Sequence, residues 1–219
     1  MESLNLLNIF ISIFALLIAI IGHELMHGLS AFYYGDSTAK IMGRLSINPI
    51  KHIDPIGSLL IPFALFLVGS PILFGWAKPV PVNMGLVINK AGYNAAIMVS
   101  LSGIIYNLSL AIMSAVIINS GVIPATSILN YVLYAFLYGL VTINIVLAVF
   151  NLLPIPPLDG SQALSYLSLK FNSMKIPMFF NKIERYGFLI IMAIVLMPHQ
   201  FNIIFIIVNF LLKILLGRS

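Results

Sequence analysis

The chain contains no cysteine. Disulfides, iron–sulfur clusters and thiolate metal sites are therefore excluded. Charge is almost as scarce. Of 219 residues, 8% are charged and 61% hydrophobic, and the mean hydropathy is +1.09. A soluble domain carries about 25% charged residues, so a water-soluble globule is excluded. Residues 91–158 hold no Asp, Glu, Lys, Arg or His. A helix needs roughly 20 apolar residues to cross a bilayer, so this run has the length to cross more than once. Internal repeats and low-complexity segments are also missing. Met1-Glu2-Ser3 lacks the basic start of a cleaved leader, and no small-x-small site follows the first apolar run. The net charge of +5 comes from a few Lys and Arg between apolar runs, where they set membrane topology rather than bind nucleic acid. The expectation is a single integral-membrane domain over residues 1–219.

What is present breaks into helices and interruptions. Leu4 to Tyr34 reads as one helix, stopped by Tyr34-Gly35-Asp36. Residues 35–55 form a polar loop. Residues 56–75 are apolar but punctuated by Gly57, Pro62, Gly69, Pro71 and Gly75. The alternating Pro and Val of Lys78 to Asn83 suit an extended edge strand, because proline cannot donate a ladder hydrogen bond. Residues 93–119 and 127–152 are helical, and Asn151 to Gly160 interrupts the membrane pattern. Residues 186–216 read as a C-terminal helical hairpin broken at Pro198-His199-Gln200. The fold class is therefore an all-α polytopic membrane protein. It has three core transmembrane helices, a re-entrant segment with a short edge strand, and a C-terminal hairpin.

The chain has six acids and four histidines. His23, Glu24, His27 and Asp159 lie in or beside apolar segments, where ionisable groups are costly and functional by default. His23-Glu24-Leu25-Met26-His27 has a clear physical logic. Positions i and i+4 share a helix face, so both imidazoles reach one metal ion. Glu24 sits one step round, placed to act as a base on water. Imidazoles suit zinc, which in catalytic sites takes three protein ligands. Two histidines leave it one short, with Asp36, Asp54, Asp159, Glu184, His52 and His199 as candidates. Asp159 is the best, because the proline-rich break before it frees backbone groups and lets a carboxylate face a polar cavity. The alternative for Asp159 is a plain helix N-cap. For His52 and Asp54, a loop held by side-chain-to-backbone hydrogen bonds is preferred over a gate above the site.

HELMH at 23–27 together with NLLPIPPLDG at 151–160 resembles the site-2 protease family of intramembrane zinc metalloproteases (peptidase family M50). The resemblance extends to Gly43 to Pro49, His52 to Gly57 and Phe74 to Asn83, and covers roughly residues 20–190. It is closest to the short prokaryotic branch, without PDZ or CBS domains. The resemblance implies one zinc per chain held by His23, His27 and Asp159, with Glu24 as general base. It also implies Asn151 as a polar group near the scissile carbonyl. The substrate would be a single-span membrane protein or hydrophobic peptide. One departure is visible: Ser102-Gly103-Ile104-Ile105-Tyr106-Asn107 has Ile104 where the family often has proline.

A single metal also constrains topology. If 56–75 crossed the membrane, His27 and Asp159 would face opposite sides. If it dips in and returns, they meet. Lys40, Arg44, Lys51, Lys78, Lys90, Lys170, Lys175, Lys182 and Arg185 then share one side, while residues 120–126 carry no charge. The positive-inside rule makes the basic side cytoplasmic, with the site toward it in a prokaryotic cell membrane. Two other readings compete: a transporter or metal-handling protein that uses the same ionisable groups as a pathway, and a proteolytically inactive scaffold. Glu24 argues against the first, since a binding site needs no base beside its ligands. The intact motif argues against the second.

Overall fold

The computed structural model describes residues 2–67, 75–124, 127–198 and 202–217. Eight α-helices occur in that span: α1 Glu2–Tyr33, α2 Thr38–Ile41, α3 Ile61–Leu67, α4 Met84–Asn119, α5 Ile128–Leu152, α6 Asp159–Lys170, α7 Lys175–Val195 and α8 Ile203–Leu216. A 3₁₀ turn at Pro49–His52 and a wide π turn at Pro55–Leu60 precede α3. Three helices among the described residues, α1, α4 and α5, are long and apolar enough to cross a membrane.

These three form the frame. α1 and α5 run in the same direction, with α4 antiparallel between them. At one end Tyr131 Oη donates to Asn8 Oδ1 (3.1 Å), so the two helices start together. At the other end His27 of α1 meets Val99 of α4. The packed faces are built from small side chains: Ala15, Ala19 and Ala31 of α1, Ala95, Ala96, Ala111 and Ala115 of α4, and Ala148 of α5 are all buried. Phe10, Phe14, Met113 and Val116 point outward and are exposed. Small residues inside and large apolar residues outside is how helices associate in lipid, where close backbone approach rather than water exclusion drives contact.

Helix ends follow local chemistry. α1 stops in a Schellman turn: Asp36 N–H donates to Ala31 O (2.9 Å) and Gly35 N–H to Phe32 O (3.0 Å). Gly35 takes the left-handed conformation this turn requires, with φ 96°. α4 starts nine residues before the expected position 93. Asn83 Oδ1 caps it by accepting from Leu86 N–H (3.1 Å), and Gly92, at φ 77°, breaks it after two turns. The membrane-length stretch thus does begin at 93, and the extra turns lie before the break.

Two expectations are corrected. No strand occurs among the described residues. Trp76 to Asn83 has no regular secondary structure, and its N–H and C=O groups bond to side chains and loop carbonyls instead of a partner strand. The C-terminal break falls near Pro198 as expected, but α7 and α8 do not pack on each other. α7 lies against α6, while α8 lies against α5 and α4, with Val208 buried beside Val141, Ile145 and Ala111. His199 and Gln200 lie outside the described residues, as do 68–74 within the expected re-entrant run.

The excursion from α1 to α4 returns to its starting point. The buried Asp36 carboxylate accepts from Thr38 N–H (2.9 Å) and, across 47 positions, from Asn83 N–H (2.6 Å). Burial alone would raise its pKa. The hydrogen bonds from Thr38 and Asn83, with the Lys90 charge nearby, outweigh this and hold it below the usual carboxylate range. Lys90 Nζ closes the same corner by donating to Gly35 O (2.7 Å).

Candidate metal centre

The last turns of α1, the first half of α4's long stretch and the start of α6 converge on one point. His23 and His27 sit a turn apart on α1, and their Nε2 atoms lie 3.1 Å from each other. Asp159 Oδ2 is 3.1 Å from His23 Nε2 and 3.3 Å from His27 Nε2. The tight fold of the 151–160 break brings the carboxylate in. Gly160 packs bare against Leu152 O, where a Cβ would collide. Asp159 is the first residue of α6, and no side-chain cap bond closes that helix. Its carboxylate faces the imidazoles, so the N-cap alternative does not hold.

The three atoms fit a metal ion. Ligand bonds of about 2.0 Å in a tetrahedron hold donor atoms about 3.3 Å apart, close to the separations seen here. The hydrogen bonds around the rings agree. His27 Nδ1 bonds to Val99 O (2.8 Å), a pure acceptor, so Nδ1 carries the proton and Nε2 presents a lone pair. Asp159 Oδ2 is buried with no hydrogen-bond partner. Two imidazole lone pairs and an orphaned carboxylate oxygen facing one point repel unless a cation lies among them. Behind them is Gly103 of α4. A Cβ there would stand 2.5 Å from His27 Nε2 and 2.6 Å from His23 Cε1, so the imidazole pair fills the space a side chain would need.

The cluster opens on a mostly apolar cavity of about 680 Å³. Glu24 and Asn151 line it, with Trp76, Val80, Phe150 and Ile191. Glu24 Oε2 accepts from Val80 N–H (2.9 Å). Asn151 Nδ2 donates to Leu147 O one turn back (3.0 Å), which uses one of its two amide hydrogens. Sequence reasoning missed the Val80 contact. The signal was there: in Pro79-Val80-Pro81 only Val80 has an N–H to give. The same stretch is pinned from its other side by Arg44, whose Nη2 donates to Lys78 O (3.0 Å) and Pro79 O (3.1 Å). Three polar groups of the expected edge are thus taken.

Among the described residues, the other candidate ligands stand outside this group, and His199 is not among the described residues. Asp54 caps the π turn, accepting from Ile56 N–H (3.0 Å) and Gly57 N–H (2.7 Å). His52 is buried, with Nε2 2.7 Å from Ser46 O. Asp36 clamps the ends of the excursion. Among the described residues, His23, His27 and Asp159 are the one group placed to share a metal.

Two histidines on a helix of membrane length, a carboxylate brought to them at the start of α6, and a glutamate beside them define a metalloprotease built on membrane-type helices. The chain belongs to peptidase family M50, whose sequence profile matches residues 11–197. It is 35% identical over 189 residues to the Bacillus subtilis protein named "Putative zinc metalloprotease YwhC", covering 85% of this chain and 80% of that protein. It is 28% identical over 197 residues to "Putative zinc metalloprotease Rip2" of Mycolicibacterium smegmatis, covering 89% of this chain and 70% of that one. No solved structure matches the chain at a significant level.

Proposed function

We propose that this chain hydrolyses peptide bonds within or near transmembrane segments of other membrane proteins, at a zinc held by His23, His27 and Asp159. The observation that carries this reading is the position of the cluster. It lies among the three helices of membrane length, beside an apolar cavity large enough for several side chains. Zinc bound there would polarise the scissile carbonyl and lower the pKa of the attacking water toward about 7. Glu24 is the general base. Its Oε2 is anchored by Val80 N–H, which leaves Oε1 to take the proton and pass it to the leaving amine. Asn151 turns its second amide hydrogen to the carbonyl oxygen as negative charge develops there. The substrate is a single-span protein or hydrophobic peptide, which must unwind locally because a helix shields its own peptide bonds.

The test is metal removal. Purified protein in liposomes, offered a single-span reporter, should cleave it. A strong zinc chelator should abolish cleavage, and added zinc should restore it. Cleavage that survives complete chelation would overturn the zinc mechanism.

The proposal includes orientation. The chain lies in a prokaryotic plasma membrane with the metal centre toward the cytoplasm, and residues 56–75 dip in and return. The Asp36–Asn83 contact supports the return, and the basic residues support the side. Topology reporters fused after residues 40, 85 and 175 should read as cytoplasmic, and one after residue 122 as external. An external reading at 85 would make 56–75 a true span and contradict the shared metal.

A further inference from the structure

Asn107 and Asn144 are both fully buried between apolar helices. A buried amide is costly unless every polar atom is bonded. Here the bonds form one directed chain. Asn144 Nδ2 donates to Leu140 O (2.8 Å), one turn back on α5. A backbone carbonyl only accepts, so that end of the amide is the NH₂ and Oδ1 faces α4. Asn144 Oδ1 accepts from Asn107 Nδ2 (2.7 Å). Asn107 Nδ2 also donates to Ala19 O of α1 (3.2 Å), again a pure acceptor. Two backbone carbonyls thereby fix both amides, and Asn107 Oδ1 is left facing His23 Nδ1 at 2.6 Å. An amide oxygen only accepts, so His23 Nδ1 must carry the ring proton and Nε2 must present its lone pair to Asp159 and His27.

We propose that Asn107, held by Asn144, is the positioning residue that sets the tautomer and ring orientation of His23 for zinc. This rests on the zinc reading above. His27 needs no such side chain, because Val99 O does the same work from the backbone. At His23 no backbone carbonyl of α4 accepts from Nδ1. The chain supplies an amide oxygen instead, and an amide cannot stay oriented in an apolar core without partners of its own. Asn144 on α5 and Ala19 O on α1 are those partners, so all three long helices take part in aiming one imidazole. Partners behind metal-bound histidines typically change metal affinity 10–100-fold.

The experiment measures zinc affinity of the full-length protein in detergent, by competition with a chromogenic chelator. Asn107→Leu keeps the branched shape and loses the acceptor; it should bind zinc 10–100-fold more weakly. Asn107→Asp keeps an acceptor facing Nδ1, and with its second oxygen protonated it donates to Asn144 Oδ1 as the amide did; it should bind at least about tenfold more tightly than the Leu variant. Circular dichroism of each variant without metal checks that the helices remain. A measurement on the unaltered chain covers the case in which Asn107→Leu fails to fold. With ¹⁵N-histidine and zinc bound, His23 should show a protonated Nδ1 and a coordinated Nε2. Zinc affinity unchanged in Asn107→Leu, equal losses in the two variants, or coordination through Nδ1 would each overturn the proposal while leaving the zinc reading intact. Failure of the unaltered chain to bind zinc would instead overturn the zinc reading itself, and this proposal with it.

Discussion

Glu24→Gln should keep its zinc and lose its activity. Glu24 lies beside the ligand cluster but is not part of it, and its Oε2 is occupied by Val80 N–H. Glutamine retains the carbonyl that accepts this bond, so the loop over the cavity keeps its anchor. What disappears is basicity. A positioned general base contributes about 10²–10⁴-fold, and cleavage of a single-span reporter should fall by that factor. Zinc content, measured by atomic absorption on purified protein, should stay at about one per chain, as a three-ligand catalytic site requires. In cells, the membrane proteome of this variant should accumulate the uncleaved substrate, which would also name it. Cleavage at the unaltered rate would remove Glu24 from the mechanism.

The second large effect comes from a residue with no side chain. Gly103→Ala places a methyl 2.5 Å from His27 Nε2 and 2.6 Å from His23 Cε1. The obstacle is two rings fixed by their own hydrogen bonds, not the loose end of a flexible chain. One imidazole must leave, and with it one of three ligands. Zinc affinity should fall by more than about 100-fold, beyond the range expected from disturbing a group behind a ligand. Gly139→Ala on α5 is the matched control. Its nearest neighbour would be the Ala15 methyl at 3.6 Å, an ordinary contact, and zinc binding should be unchanged. Equal zinc occupancy in the two variants would mean that the imidazoles are not confined by α4.

The grouping of His23, His27 and Asp159 was legible in the sequence because much of its geometry is local. His23 and His27 meet by helical period alone, and Asp159 announces itself through the proline-rich break before it. The stop at Gly35 was legible for the same reason. What was not legible depends on contacts between distant segments. The opening turns of α4 are hidden by Gly92, which separates them from the long apolar pattern. Lys78 to Asn83 has the composition of an edge strand. Its polar groups are nonetheless taken by Glu24, 56 residues away, and Arg44, 34 residues away. Asn107 and Asn144 carry no charge, so a search for ionisable groups in apolar runs passes over them. Their signal is weaker: an amide in the middle of a helix that otherwise has every reason to be apolar.

The Asp36–Asn83 clamp makes the segment between them an appendage. Because both ends are held at one corner of the three-helix frame, the middle of that segment transmits little to the frame when its length changes. Loop entropy rises slowly, by about 0.6 kcal/mol for each doubling. Among the described residues, Val80 ties this segment to the metal centre through Glu24, and Arg44 holds the two residues before it. The exposed position Ile47, between the ties that Arg44 and His52 make to Lys78, is therefore a natural insertion point. New sequence there would require no rebuilding of the helices that hold the histidines.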